Sequence, residues 1–202
     1  MIRPRSGLAR SVKIERVNRN NMEDFLDLIA GLAHYENAAP PDDAAKRRLK
    51  VDALSRNPPY RAFVAYLKDK PVGYVIYYHT YSTYDGRRIF FLEDIFVVKS
   101  VRKTGVGKEL LGFCMEEAKK QGCCEVQWAV LTWNEDAIGF YERMGGKRQD
   151  LHIYSIEEKD FSGCNWAGAP RLGKAHRGGR ATVRADYPAH FIPAVIAGTF
   201  NC

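Results

Sequence analysis

"FFLEDIFVVKSVRKTGVGKELL", residues 90–111, sets two acids, Glu93 and Asp94, inside a strand-like apolar run and follows it with a basic turn holding two glycines. Charges within a sheet are costly unless partnered. Successive strand residues point to opposite faces, so the adjacent acids are expected on opposite sides. An edge or a cleft facing a cation would account for them. Past the turn, "GVGKELLGFCMEEAKKQG" has the spacing of an amphipathic helix that ends at Gly122. A helix N-terminus offers free N–H groups and partial positive charge. Gly105 and Gly107 lack a Cβ and let an anion approach, while Arg102, Lys103 and Lys108 add full charge. Together they read as a pyrophosphate cradle. The spacing is neither G-x-x-x-x-G-K-[ST] nor G-x-G-x-x-G, which excludes an NTPase P-loop and a dinucleotide fingerprint. A tight strand-to-helix turn would by itself use the same two glycines.

Working outward, "VKIERV" (12–17) alternates as a first strand. A helix follows over 20–36, capped by Asn20 or Asn21, with Met22, Phe25, Leu28, Ile29 and Leu32 on one face. "PPDDAAKRRLKVDALSRNPP" gives a second helix. "YRAFVAYLKD" and "PVGYVIYYHTYS" form a hairpin, and "YDGRR" turns into the strand already described. After the cradle helix come a strand, "CEVQWAVLTW", a helix, "NEDAIGFYERMGG", with Asn134 at its N-cap, and a short last strand, "DLHIYSIE". The order β-α-α-β-β-β-α-β-α-β implies an α/β fold with a mixed sheet and helices on both faces.

The bulk numbers agree with one such domain. The chain has 202 residues, 46% hydrophobic, with no internal repeat and no apolar run near the roughly 20 residues that span a bilayer. Its net charge is +7, of which residues 161–202 supply five Arg or Lys against one Asp. The rest is close to neutral, which argues against nucleic acid as a partner. Five cysteines without a C-x-x-C pattern point to reduced thiols, not to a disulfide frame or a metal site. Residues 1–11 read as a disordered leader, 12–160 as the domain, and the Gly/Ala/Arg-rich 161–202 as a poorly ordered tail.

Arg102-x-x-Gly105-x-Gly107 after a long apolar strand resembles the acetyl-CoA-binding motif of the GCN5-related N-acetyltransferase (GNAT) superfamily. "LAHYE" (32–36), "GYVIYYHTY" (73–81), "FLEDIFVV" (91–98), "RKTGVGKELL" (102–111) and "WNEDAIGFYERMGG" (133–146) resemble, in order, its spermidine/spermine and thialysine acetyltransferase branch. The resemblance covers about residues 12–157. It implies the acyl-CoA N-acyltransferase fold, acetyl-CoA as co-substrate without a metal, a small amine as substrate, a homodimer, and a cytoplasmic setting without membrane attachment. It makes Tyr141 the general acid and Glu93 the group that helps remove the amine's proton. It has the cofactor held by Ile95, Phe96 and Val97 on a splayed strand, by Arg102, Lys103, Thr104, Gly105, Val106, Gly107 and Lys108 in the cradle, and by Asn134, Asp136, Ala137 and Tyr141. The amine falls to Tyr35, Glu36, Glu93 and Asp94. Two carboxylates from separate segments suit a diamine or polyamine better than a neutral substrate.

The chain departs from that branch at "KRQD" (147–150), basic where the polyamine enzymes are acidic. A long polyamine would lose an anionic contact there, which favours shorter amines. Two alternatives stay open: acetylation of a protein lysine or N-terminus, and a non-catalytic role at nucleic acid using the basic tail. The tyrosine-rich "YVIYYHTY" is expected as an exposed surface for a second copy.

Overall fold

The computed structural model describes residues 12–160. Elements follow in the order β1 (Lys13–Arg16), α1 (Met22–Tyr35), α2 (Asp43–Ala53), β2 (Arg61–Leu67), β3 (Lys70–Ser82), β4 (Arg87–Val97), α3 (Val106–Lys120), β5 (Glu125–Trp128) and α4 (Glu135–Arg143). Short 3-10 turns lie at Lys99–Val101 and Glu158–Asp160. The sheet has the order β1-β2-β3-β4-β5. It is antiparallel except for β4 and β5, which pair in parallel through the α3 crossover.

Each face of the sheet has its own core, sorted by strand alternation. Val64, Tyr74, Ile76 and Phe96 pack on one side against Phe25, Leu26 and Leu28 of α1. Ala65, Val75, Tyr77, Phe90 and Leu92 pack on the other against Val106, Leu110, Leu111, Cys114 and Ala118 of α3. Both helices carry their apolar residues at three- and four-residue spacing, as the sequence predicts. Burying a large apolar side chain such as Phe25 or Leu110 contributes about 1.5–3 kcal/mol. The two-residue loop of Lys68 and Asp69, with φ of 52° and 58°, joins β2 to β3 as a hairpin turn whose twist matches the strands.

Several expectations are corrected. The last strand over "DLHIYSIE" does not form: residues 151–157 have no regular structure, and Ile153, Tyr154 and Ile156 are exposed. No described strand pairs with them. β5 stops at Trp128, short of Trp133, because its partner ladder ends at Leu92. Asn21 is the N-cap of α1, but its side chain accepts from Asn18 N at 2.7 Å and leaves the helix amides alone. The tyrosine-rich strand is the middle of the sheet, not an exposed surface. Tyr74 and Tyr77 are fully buried, and of that run only Tyr81, near the strand's end, stands in solvent. The leader and tail lie outside the described residues.

Candidate active site

β4 runs five residues beyond its pairing with β5. The parallel ladder covers Ile89↔Glu125 through Leu92↔Trp128 and stops, while β4 continues antiparallel to β3 as far as Val97. Below the divergence lies a cleft of about 430 Å³, walled by Glu93–Val97 on one side and Trp128–Leu131 on the other. That volume suits a small-molecule ligand. The start of α3, the end of α1 and one face of α4 complete the lining.

At the α3 end, Gly105 is the helix N-cap with φ of 103°, a conformation that L side chains rarely adopt. Lys103 is also left-handed, at φ 63°. The first helical hydrogen bond runs from Glu109 N to Gly105 O, so the amides of Val106, Gly107 and Lys108 have no acceptor within the helix. Lys103, Gly105, Gly107, Lys108 and Arg102 all line the cleft. The loop therefore has the free amides and the charge of an anion cradle. Two residues assigned to it contribute no side chain. Val106 is buried in the α3 core, and the Thr104 hydroxyl donates to Val101 O at 2.7 Å, outside the cleft. Their side chains shape the turn.

At the α1 end stand three carboxyls. The β3–β4 register jumps from Ile76↔Asp94 to Tyr77↔Leu92, so Glu93 is the extra residue of a β-bulge. This overturns the expectation of opposite faces. The bulge lets both acids reach the α1 side, where Tyr74 donates to Asp94 at 3.1 Å and Tyr78 engages Glu93. Glu36, the residue after α1, faces them. Burial raises the Glu36 carboxyl above its usual range, and the Asp94 charge adds to this. Burial and then Asp94 do the same to Glu93, with Tyr78 opposing. Asp94 is raised by burial against the stabilising bond from Tyr74. The Tyr78 phenol is pushed up to about 12 by burial and by Glu93. Three mutually repelling carboxyls in one partly buried pocket make a site that a cation would relieve.

Tyr141 of α4 lines the same cleft, its ring 5.1 Å from Trp128 and 5.4 Å from Phe140. Burial holds its phenol far above the ordinary value, with Cys114 and Asp94 adding to the shift. It is thus a protonated donor at any physiological pH. Asn134 caps α4 by accepting from Ala137 N at 3.3 Å and also accepts from the Tyr35 hydroxyl at 3.0 Å. Ile95, Phe96, Val97, Asp136, Ala137 and Tyr35 complete the expected set along the same cleft. Sequence reading missed Tyr74 and Tyr78, whose roles depend on the bulge register. It also missed Trp128, and Arg143, which shares the Asp136–Phe140 face of α4 at i, i+4, i+7 spacing and could have been found that way.

A family model described as Acetyltransferase (GNAT) family matches residues 24–146. The chain belongs to the GNAT acetyltransferase family. Among characterised GNAT relatives, the thialysine N-epsilon-acetyltransferase of Bos taurus is 34% identical over 148 residues, covering 69% of this chain and 85% of that protein. The L-ornithine N5-acetyltransferase of Arabidopsis thaliana is 37% identical over 100 residues, 48% of this chain and 44% of the other. The solved structure of an aminoglycoside N-acetyltransferase in complex with CoA superposes with a TM-score of 0.62 at 21% identity, covering 78% of this chain and 99% of that one, a likeness of GNAT fold.

Proposed function

We propose that this protein transfers an acetyl group from acetyl-CoA directly to a primary amine of a small, multiply charged substrate, such as a diamine, spermidine or a thialysine-like amine. The observation that carries the reading is the convergence on one cleft of a helix-start anion cradle, a protonated phenol and three carboxyls with raised pKa values. The curated relatives act, by their names, on thialysine and ornithine, both small amines.

The residues fit a thioester cofactor. The amides opening α3, with Arg102, Lys103 and Lys108, hold its diphosphate. The edge of β4 that β5 leaves at Ile95–Val97 would face its amide-bearing arm, and acetyl-CoA would supply the activated acetyl thioester. Glu36, Glu93 and Asp94 draw in the cationic substrate. Glu93, whose raised pKa makes it a stronger base than an ordinary carboxylate, takes the ammonium proton, through a water where it does not reach directly. The freed nitrogen lone pair forms the C–N bond at the thioester carbonyl. A β4 amide donates to the developing oxyanion. As the C–S bond breaks, Tyr141 gives its proton to the departing sulfur and regains one from solvent.

The test is release of free CoA thiol from acetyl-CoA with putrescine, spermidine, thialysine, ornithine and a lysine-containing peptide. Turnover with one of the small amines well above the peptide is expected. Turnover with the peptide alone would transfer the reading to protein acetylation, and no turnover with any would end it.

A further inference from the structure

One side chain ties the end of α1 both to the cradle and to the start of α4. Tyr35 closes α1, and its ring lies 4.3 Å from the guanidinium carbon of Arg102 and 5.9 Å from the Trp133 ring. Its hydroxyl meets Asn134 Oδ1 at 3.0 Å. The backbone N–H of Ala137 also reaches Oδ1, at 3.3 Å. A backbone N–H can only donate, which fixes the amide with Oδ1 toward α4 and makes the Tyr35 hydroxyl a donor to it. With two donors on Oδ1, Asn134 has only its Nδ2–H groups to offer into the cleft. It is set as a donor, suited to a carbonyl of an amide-bearing ligand. Arg102 is constrained in parallel. Its Nε donates to Val97 O at 2.9 Å and its face rests on the Tyr35 ring, so its terminal nitrogens remain for an anion.

We propose that Tyr35 is a positioning residue for the acyl donor: its hydroxyl fixes Asn134 as a hydrogen-bond donor to the cofactor's amide arm, and its ring holds Arg102 for the diphosphate. This rests on the acetyl-CoA reading above and gives Tyr35 a task apart from lining the amine pocket. The two halves of the side chain then serve two separate parts of one ligand.

The test compares two donors, acetyl-CoA and acetyl-pantetheine, which keeps the arm and lacks the diphosphate. Tyr35→Phe removes only the hydroxyl. The donor KM is expected to rise about five- to tenfold with both donors, while the amine KM stays within about twofold. Tyr35→Leu removes the aromatic platform as well. Its acetyl-CoA KM should rise at least about fivefold further, with no further rise for acetyl-pantetheine. Asn134→Asp keeps the helix cap and loses the Nδ2 donors. With acetyl-pantetheine, Tyr35→Phe should add less than about twofold in that background, because both changes break one contact chain. An amine KM raised by Tyr35→Phe with donor KM values unchanged would overturn the proposal, as would a full additive effect in the Asn134→Asp background. Should Tyr35→Leu fail to fold by thermal melting, the Phe and Asp cycle decides alone. If the wild-type protein turns over no amine, the functional reading has failed separately. Calorimetry with CoA then decides the role of Tyr35: weaker binding to Tyr35→Phe supports it, and equal binding ends it.

Discussion

At the scale of single residues, burial raises the pKa of the Tyr141 phenol and of the cleft carboxyls alike. Burial keeps the Tyr141 phenol protonated while it keeps the nearby carboxyls poised to accept a proton. Tyr141→Phe should therefore lower kcat at least about tenfold with little change in the KM of either substrate, measured by steady-state thiol release. Asp94 tests the other side of the balance. In the unfolded chain its carboxyl titrates normally, and in the fold its pKa is raised, chiefly by burial. Below the unfolded pKa both states are protonated and the group is neutral to stability. As pH rises through the folded value, the fold must hold a buried anion and loses stability. Asp94→Asn, which still accepts from Tyr74, should melt on the order of a few degrees higher than wild type at pH 8, the gap closing toward pH 4 in thermal melts.

At the scale of elements, the decisive feature is how β4 is held against β3. Gly73 pairs with Val97, and a Cβ at Gly73 would run into the carbonyl oxygen of Phe96. Gly73→Ala should destabilise by about 1–3 kcal/mol, read as a drop of about 2–10 °C in melting temperature, and should weaken donor binding by shifting the cleft wall. Much of the site was legible in the sequence at this scale. The helix stripes, the glycine turn at Gly105 and the Asn134 cap are local patterns, and local chemistry fixes them. The bulge at Glu93 was not legible. An extra residue in β4 is defined only against its partner strand, and alternation within β4 alone put the two acids on opposite faces. The roles of Tyr74 and Tyr78 were hidden for the same reason, since they depend on which β3 residue stands across from which acid. The strand expected over 150–157 shows the converse limit. Its alternation is real, yet a strand exists only in pairing with a neighbour, and alternation alone does not supply that pairing.

At the scale of the whole molecule, the cleft is electrically polarised. Arg102, Lys103 and Lys108 gather at the start of α3, Glu36, Glu93 and Asp94 gather near the end of α1, and Asp136 and Arg143 of α4 also line the cleft. The net charge of the chain, +7, hides this division. An anionic donor and a cationic acceptor are each attracted to their own region, so both KM values should rise together with ionic strength. A rise of severalfold between about 0.05 and 0.5 M salt is expected, as screening shortens the reach of charges to a few ångströms. A salt-independent amine KM would remove long-range attraction from substrate capture.

The divergence of β4 from β5 has a consequence for how such a molecule can change. On the proposed reading, diphosphate recognition falls to the start of one helix and substrate choice to the end of another, with β4 common to both. Replacing Glu36 would then retune which amine is accepted, whereas replacing its neighbour Tyr35 would also reach the donor through Arg102 and Asn134. Division of labour along one seam lets a lineage explore new acceptors while the donor stays constant.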